Sequence, residues 1–349
     1  MKQIKCNTYS IHINNWEAVN NYISVGDYSS LFVVVDENTL QLCLPLFEEK
    51  INAKFHIILT QSGEKNKTID SCQIIWNKMI HLGADRHSLC INLGGGVIGD
   101  MGGFAASTFM RGMDFIQIPT SLLSQVDASV GGKLGVDYNN YKNLIGIIKN
   151  PGAVFIFTDF LKTLPYKHLL SGFAEAIKHG LIRAEDTFQK LTHVDSLANI
   201  DWEDLVYESV KIKKTITEAD PYERGIRKVL NFGHTLGHAI ESFALSSKKQ
   251  LLHGEAIAIG MIMETYLSYL CDFISLQEAK DVKNKILKLY GHHPSIIPNI
   301  ETLFGLMSKD KKNKGGILKF SLLQKIGEGN FDQEVTKEDV EKSVIFYKA

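Results

Sequence analysis

The spacing of three histidines and one glutamate is the strongest chemical signal in this 349-residue sequence. His234 and His238 are four residues apart, so a helix would present both imidazoles on one face. His253 opens the next helical segment, and Glu175 lies upstream. One carboxylate with two or three imidazoles is the ligand set of an open catalytic zinc site, which keeps a position for substrate. Because the spacing is not His-Glu-x-x-His, a zinc protease is disfavoured.

A structural role is the main alternative for each of these residues. A single histidine on an apolar helix is more often packed in a core than bound to metal, and a single helical glutamate is usually exposed. Four such groups in short motifs weaken that alternative. His179, four residues after Glu175, is a rival ligand that we rank lower.

A glycine run at residues 94–103 has the composition of a phosphate-binding turn. It follows a predicted strand, 88–93, and precedes a candidate helix, 104–109. Glycines let backbone N–H groups approach a pyrophosphate, and a helix amino terminus adds a favourable dipole. The run is not Gly-x-Gly-x-x-Gly and comes after two earlier strand–helix units, so alone it is also compatible with a structural turn.

Polar side chains near the ends of two earlier predicted strands favour a bound dinucleotide. Asp36 and Asn38 follow one strand, and Glu64 and Lys67 follow another. Acidic and amide groups suit ribose hydroxyls, and Asp36 would repel a 2′-phosphate. We therefore expect NAD rather than NADP.

Further polar residues interrupt an apolar, glycine-bearing segment after Pro119. They are Asp127, Lys133, Lys142 and Asn143. Taken singly, each lysine is compatible with a solvated loop. Grouped with other cationic residues, they would form a pocket for a phosphorylated, carboxylated substrate. Those other residues are Arg111, Lys178 and Lys213.

The elements that must position these groups change character near Leu164-Pro165. The first part alternates strands with helical segments at 40–50 and 66–82; its predicted strands are 31–35, 55–59, 88–93 and 115–118. This order predicts a parallel sheet with right-handed crossovers, whose ligands bind beyond the carboxyl ends of the strands. The second part has helical periodicity at 171–182, 202–219, 228–244, 253–270 and 276–290, with one strand-like stretch at 316–323.

We therefore expect two domains around a shared cleft. Residues 1–164 would form an α/β, Rossmann-like NAD-binding domain, and residues 165–349 a mostly α-helical domain that binds metal and substrate. The net charge of −1 favours neither nucleic acid nor a membrane surface as partner. The sequence shows no signal segment and no membrane span, which predicts a cytoplasmic protein. The five cysteines include no Cys-x-x-Cys pair, so we expect free thiols.

These motifs resemble those of the 3-dehydroquinate synthases, within the sugar-phosphate cyclase family, from about Asp36 to Gly327. The stretches that carry the resemblance are 94–103, 125–133, 142–143, 223–227, 230–235 and 253–255. The resemblance implies conversion of 3-deoxy-D-arabino-heptulosonate 7-phosphate to 3-dehydroquinate and phosphate in the shikimate pathway of aromatic amino acid biosynthesis. It also implies transient oxidation at C4 by NAD, phosphate elimination, re-reduction, ring opening and intramolecular aldol closure.

The resemblance further assigns roles to residues. It implies that Glu175, His234 and His253 hold Zn²⁺ or Co²⁺. The residues implied to act catalytically are Lys133, Lys178, Lys213, Glu223, Arg227, Asn231 and His238. Those implied to contact substrate are Arg111, Asp127, Lys133, Lys142, Asn143, Lys178, Lys213, Arg227, Asn231, His238 and Lys311. Lys311 is preferred over its neighbour Lys312. Arg111 is expected to reach the site of the other subunit in a homodimer.

The residues expected to contact NAD come from both the strand ends and the resemblance. They are Asp36, Asn38, Glu64, Lys67, Gly95, Gly96, Val97, Asp100, Thr120, Ser121, Asp127, Lys133, Lys142 and Thr163.

Local departures from the usual family pattern concern loops and not the chemical groups. Asp137-Tyr138, Tyr141 and Lys319-Phe-Ser-Leu322 replace commoner residues, and the connection at 246–250 is slightly long. The alternatives are a related cyclase acting on an aminated heptulosonate, sedoheptulose 7-phosphate or glucose 6-phosphate, a metal-dependent polyol dehydrogenase, and an inactive homologue. Arg227 and the intact 231–238 motif favour the carboxylated substrate.

Overall fold

The computed structural model describes residues 2–139, 141–194, 196–246, 251–307 and 318–349. Contacts divide the chain into two compact units. The sheet unit comprises residues 1–165 with 202–218, and the helical unit comprises 166–201 with 219–349. The segment 202–218 therefore groups with the sheet unit although it lies beyond Pro165 in the sequence.

A seven-stranded sheet forms the centre of the sheet unit. Its strands are β1 Lys2–Lys5, β2 Ser10–Ile13, β3 Leu31–Asp36, β4 His56–Thr60, β5 Leu89–Gly94, β6 Asp114–Pro119 and β9 Ala153–Ile156. Their order in the sheet is β1-β2-β9-β6-β5-β3-β4, with β1 antiparallel to β2 and the other pairs parallel. The parallel sheet with strands at 31–36, 56–60, 89–94 and 114–119 confirms the predicted α/β architecture.

This unit contains six described α-helices, and those that pack on the sheet do so on both of its faces. They are α1 Trp16–Val25, α2 Glu37–Leu42, α3 Leu44–Lys50, α4 Ile69–His81, α5 Gly96–Thr108 and α8 Trp202–Ala219. β3 and β5 are almost wholly buried, as expected for central parallel strands made of consecutive apolar residues. A separate hairpin joins β7 Lys133–Tyr138 to β8 Tyr141–Ile148.

The glycine run differs from its expected form. Helix α5 begins at Gly96, so the later glycines of the run are helical and do not form a loop before residue 104. A Cβ at Gly102 would lie 2.0 Å from the Oδ1 atom of Asn92 on β5. These glycines therefore let α5 lie close against the sheet, which leaves Gly94–Gly96 as the segment that faces the carboxyl edge.

The helical unit contains seven of the described helices and one described hairpin. They are α6 Tyr166–Arg183, α7 Glu185–Thr192, α9 His234–Ser246, α10 His253–Leu270, α11 Leu276–Tyr290, α12 Ile300–Met307 and α13 Lys337–Lys348, with β10 Lys319–Lys325 and β11 Glu328–Glu334. The mostly helical second half is thereby confirmed, and β11 is an element that sequence periodicity missed.

The residue before α9 and the middle of α10 approach each other closely because both are glycine. A Cβ on Gly260 would lie 2.0 Å from the carbonyl oxygen of Gly233, and Gly233 itself has φ of +79°. Among the described residues, no helix has the length and apolar character needed to cross a bilayer. All five cysteines are free thiols.

Replacing Gly260 with alanine should destabilise the helical unit, because the new methyl group meets fixed backbone. Overpacking of this kind costs about 1–3 kcal/mol in the free energy of unfolding, measured by urea denaturation. Gly305→Ala on α12 is the matched control, since its Cβ would meet nothing within 4 Å. That variant should be stabilised by about 0.5–1 kcal/mol through helix propensity. Equal effects of the two substitutions would contradict the close helix contact.

Candidate active site

The predicted metal ligands converge within the helical unit. Glu175 lies in the middle of α6 and has no solvent-accessible surface. Its Oε1 atom is 3.6 Å from Nε2 of His234 and 3.6 Å from Nε2 of His253, the first residues of α9 and α10. Three groups that come from three helices thus point their donor atoms at one place, which suits a divalent cation bound by nitrogen and oxygen.

Hydrogen bonds at Nδ1 orient both imidazoles. Nδ1 of His234 lies 3.1 Å from the carbonyl oxygen of Phe232, and Nδ1 of His253 lies 3.5 Å from Oε2 of Glu241. Each acceptor favours a proton on Nδ1, so that Nε2, which faces Glu175, is the nitrogen available to a metal. This is the arrangement by which metal-binding histidines are usually held.

The two histidines differ strongly in basicity. Burial and the nearby Lys178 cation lower the pKa of His234 to about 3. Burial would also lower the pKa of His253, but the carboxylates of Glu175 and Glu241 outweigh it and raise that pKa to about 9. The difference arises because only His253 lies between two carboxylates.

His238 and Lys178 complete the immediate surroundings. The ring of His238 is 5.0 Å from that of His234 and 5.6 Å from that of His253, measured between centroids. Donor atoms of the three histidines all lie within 4.8 Å of one another, so geometry alone leaves His238 as a further candidate ligand. Lys178 is buried one turn after Glu175 and forms an ion pair with its Oε2 atom. His179, the lower-ranked candidate, is also buried on α6.

A second group of predicted residues lies in the segment that precedes α9. The Arg227 guanidinium is buried and donates to the carbonyl oxygen of Pro221 at 2.6 Å. Asn231 donates through Nδ2 to Oε1 of Glu223 at 2.5 Å. The carboxylate of Asp220 accepts three backbone N–H bonds from residues 224, 225 and 227, which folds the segment back on itself. Three polar residues predicted to be catalytic are thereby held on one short stretch.

In the sheet unit, Lys67 connects several of the predicted NAD and substrate residues. Its Nζ atom donates to Asp100 Oδ2 at 2.5 Å and to Asn143 Oδ1 at 2.6 Å, although the side chain is only 4% exposed. Glu64 and Lys142 lie beside this group, with 3.9 Å between their charged atoms. Burial disfavours the Lys67 cation, but Asp100 and Glu64 raise its pKa above the usual value.

Other predicted NAD residues meet at the carboxyl edge of the sheet. The N–H of Thr120, just after β6, donates to the carbonyl oxygen of Gly94 at the end of β5. A Cβ on Gly95 would lie 3.4 Å from the Ser121 hydroxyl. Gly96 and Val97 form the first turn of α5. Asp36, at the end of β3, caps α2 by accepting from the N–H groups of Asn38 and Thr39, so part of its hydrogen-bonding capacity is structural.

The remaining predicted residues fall into three groups. Lys213 on α8 donates to the backbone oxygen of Asp127 at 2.6 Å and pairs with its carboxylate at 2.8 Å. Lys133, Arg111 and Thr163 are exposed, and Arg111 has a left-handed backbone with φ of +68°. Lys311 and Lys312 lie outside the described residues.

Comparison with known proteins shows the family to which the chain belongs. Family models for the 3-dehydroquinate synthase N-terminal and C-terminal regions match residues 57–171 and 172–313. The 3-dehydroquinate synthase of Parabacteroides distasonis is 43% identical over 331 residues, which cover 94% of each chain. The chain belongs to the 3-dehydroquinate synthase family.

Two solved structures have the same fold. A 2-deoxy-scyllo-inosose synthase, complexed with carbaglucose-6-phosphate, NAD⁺ and Co²⁺, matches with a TM-score of 0.82 at 24% identity and covers 98% of each chain. ValA, a 2-epi-5-epi-valiolone synthase from Streptomyces hygroscopicus with NAD⁺ and Zn²⁺ bound, matches with a TM-score of 0.85 at 24% identity. It covers 99% of this chain and 98% of its own. At 24% identity, these two matches establish the fold of this chain and nothing further.

Sequence reasoning missed the roles of two carboxylates, one on α9 and one on α10, each of which contacts the start of the other helix. Glu241 faces His253, and Glu264 accepts from the N–H groups of Gly233 and Leu236. The position of Glu241, seven residues after His234, was a usable signal, because that spacing returns to the same helix face. Glu264 lies within a long apolar helix, and an acidic residue there signals a buried partner.

Substitutions at the convergent site should separate metal ligands from neighbours. Glu175→Gln and His234→Ala are each expected to lose stoichiometric metal, measured by elemental analysis of purified protein. His238→Ala should keep its metal and lose turnover, because its ring lies beside the ligands. Full metal content in the first two variants would exclude the Glu175–His234–His253 ligand set, and metal loss in the third would make His238 a ligand.

Removing the Lys67 cation should destabilise the sheet unit. Lys67→Met leaves Asp100 without its buried cation, which is expected to cost about 3 kcal/mol in the free energy of unfolding. Asp100→Asn in the same chain should recover part of that loss. A double-mutant cycle by chemical denaturation measures the coupling, and simple additivity of the two substitutions would contradict it.

Proposed function

We propose that this protein is a 3-dehydroquinate synthase, a carbon–oxygen lyase acting on 3-deoxy-D-arabino-heptulosonate 7-phosphate. The observation that carries the proposal is the convergence of Glu175, His234 and His253 in a chain whose relatives carry that name. The products would be 3-dehydroquinate and phosphate, which places the reaction in the shikimate pathway of aromatic amino acid biosynthesis. We propose a cytoplasmic location for it.

The donor sets fit the two cofactors that the family resemblance implies. A buried carboxylate with two imidazoles, both presenting Nε2, suits Zn²⁺ or Co²⁺. The glycines at the start of α5 and the polar group around Lys67 suit NAD. When bound, NAD supplies reversible hydride chemistry at C4, and the metal supplies Lewis-acid polarisation of neighbouring oxygens.

The protein's own side chains would bind and orient the substrate. Buried cations suit its carboxylate and phosphate groups, because a fixed charge with low exposure is weakly screened. In the helical unit these are Lys178 and Arg227, and in the sheet unit Lys213, which Asp127 holds in place. Lys133, Lys142, Asn143 and Lys311 are proposed further contacts. His238 would hold and return a proton at a ring nitrogen, and Asn231 with Glu223 would fix the adjacent backbone.

We also propose a homodimer in which Arg111 serves the partner's site. The exposure of this arginine supports an outward-reaching role. Independently, we propose the domain limits that the sequence suggested. Residues 1–164 would bind NAD, and residues 165–349 would bind the metal.

A coupled assay tests the reaction class. Purified protein with NAD, Zn²⁺ and the heptulosonate phosphate should release phosphate and dehydroquinate in equal amounts, with no net NADH. Glu175→Gln should release neither. Net NADH without phosphate would identify a polyol dehydrogenase instead. Phosphate release from sedoheptulose 7-phosphate or glucose 6-phosphate, but not from the heptulosonate, would identify another cyclase.

Mixing two inactive variants tests the role of Arg111. In a mixed dimer of Arg111→Ala and Glu175→Gln, a donated arginine would complete one site of the two. Random reassociation of equal amounts should therefore restore about a quarter of wild-type activity. If Arg111 acts within its own chain, every site in the mixture lacks one residue and activity stays absent. Size-exclusion chromatography verifies that each variant is dimeric.

A further inference from the structure

Helices α9 and α10 each carry a carboxylate that contacts the amino-terminal end of the other helix. Glu241 on α9 faces His253, the first residue of α10. Glu264 on α10 faces the start of α9, where His234 is the first residue. Contacts therefore run in opposite order along the two helices, which makes the pair antiparallel. The close approach of Gly233 and Gly260 adjoins the Glu264 contact, since Gly233 takes part in both.

The Glu264 carboxylate is fully buried and holds the turn that precedes His234. Its Oε2 atom accepts from the N–H of Gly233 at 2.6 Å, and its Oε1 atom accepts from the N–H of Leu236 at 3.0 Å. These N–H groups are among those that a helix start leaves without intrahelical acceptors. The same turn carries the Phe232 carbonyl that accepts from Nδ1 of His234. Glu264 thus fixes the acceptor that sets the orientation of the His234 ring.

The Glu241 carboxylate acts on His253 directly. Its side chain is 8% exposed, and its Oε2 atom lies 3.5 Å from Nδ1 of the imidazole whose Nε2 faces Glu175. A carboxylate at Nδ1 fixes the tautomer and makes Nε2 a stronger donor to a metal. The start of α10 is held independently, because the Ser171 hydroxyl accepts from the N–H of Gly254 at 2.9 Å. With the backbone fixed, the ring orientation depends on Glu241.

We propose that Glu241 and Glu264 are positioning residues for the metal centre, each holding the ligand histidine at the start of the other's helix. This inference rests on the proposed metal site. It assigns to Glu241 the tautomer and donor strength of His253, and to Glu264 the orientation of His234. Neither carboxylate is required to touch the metal or the substrate.

Cobalt binding measures these roles without reliance on turnover. Glu241→Gln keeps the shape and an acceptor oxygen but removes the charge, so the Kd of the apoprotein for Co²⁺ should rise about 10- to 100-fold. The visible d–d spectrum of the Co²⁺-loaded variant should shift, which a change in the melting temperature of the apoprotein alone would not produce. Glu264→Gln offers one acceptor to two N–H donors, so it should lower that melting temperature and also change the cobalt spectrum.

The control is Glu278→Gln on α11. Oε2 of Glu278 also accepts a backbone N–H at a helix start, that of Ser275 at 2.7 Å, but the residue is exposed and contacts no site residue named above. This variant should keep the wild-type cobalt affinity and spectrum. If Glu264→Gln does not fold, Glu264→Asp, which keeps both oxygens on a shorter stem, should still show the spectral shift.

The outcomes separate this inference from the proposed function. Wild-type affinity and an unchanged spectrum in Glu241→Gln, with one Co²⁺ bound per wild-type chain, would overturn the role of Glu241 and leave the metal site intact. Lower stability with an unchanged spectrum in the Glu264 variants would reduce Glu264 to a helix cap and overturn its positioning role. Failure of the wild-type protein to bind Co²⁺ or Zn²⁺ would overturn both the inference and the metal centre.

Discussion

The buried carboxylate of Glu175 is the constraint on which the helical unit depends. A carboxylate without solvent contact is costly unless cations or hydrogen-bond donors surround it. Lys178, one turn along α6, supplies one cation, and His253, whose pKa is raised to about 9, supplies another beside the other oxygen, which His234 also faces. The same arrangement that offsets the burial of this charge also forms a binding site for a divalent cation. Stability and chemistry therefore impose the same geometry on three helices.

In the sheet unit, a buried charge likewise positions residues of the proposed site. Lys67 is buried, and it is held by Asp100 from α5 and Asn143 from β8. The N–H of Asn143 in turn donates to Asp137 of β7, and the N–H of Asp137 donates to the carbonyl oxygen of Lys67. This closed circuit fixes the β7–β8 hairpin against the edge of the unit that carries the glycine turn. Residues proposed to contact NAD and substrate are thus positioned by one another.

Much of this organisation was accessible from the sequence because it depends on local pattern. The central strands are consecutive apolar runs, and helices 202–219, 253–270 and 276–290 have continuous periodicity, so their bounds follow from side-chain spacing. The sequence does not show where the glycine run becomes helical, because glycines that form a loop and glycines that let a helix approach a sheet look the same in sequence. Short edge elements such as β1 and β11 were missed, since they contain too few apolar residues to show alternation.

The carboxylates behind the histidines illustrate what spacing cannot show. His234 and His253 both offer Nε2, but they do so through different acceptors, a backbone carbonyl for one and the Glu241 carboxylate for the other. A carbonyl orients a ring without adding charge, whereas a carboxylate also increases the electron density at the opposite nitrogen. The two imidazoles are therefore chemically unequal ligands. That inequality arises from contacts between residues on separate helices, and it becomes visible only when α9 and α10 are packed together.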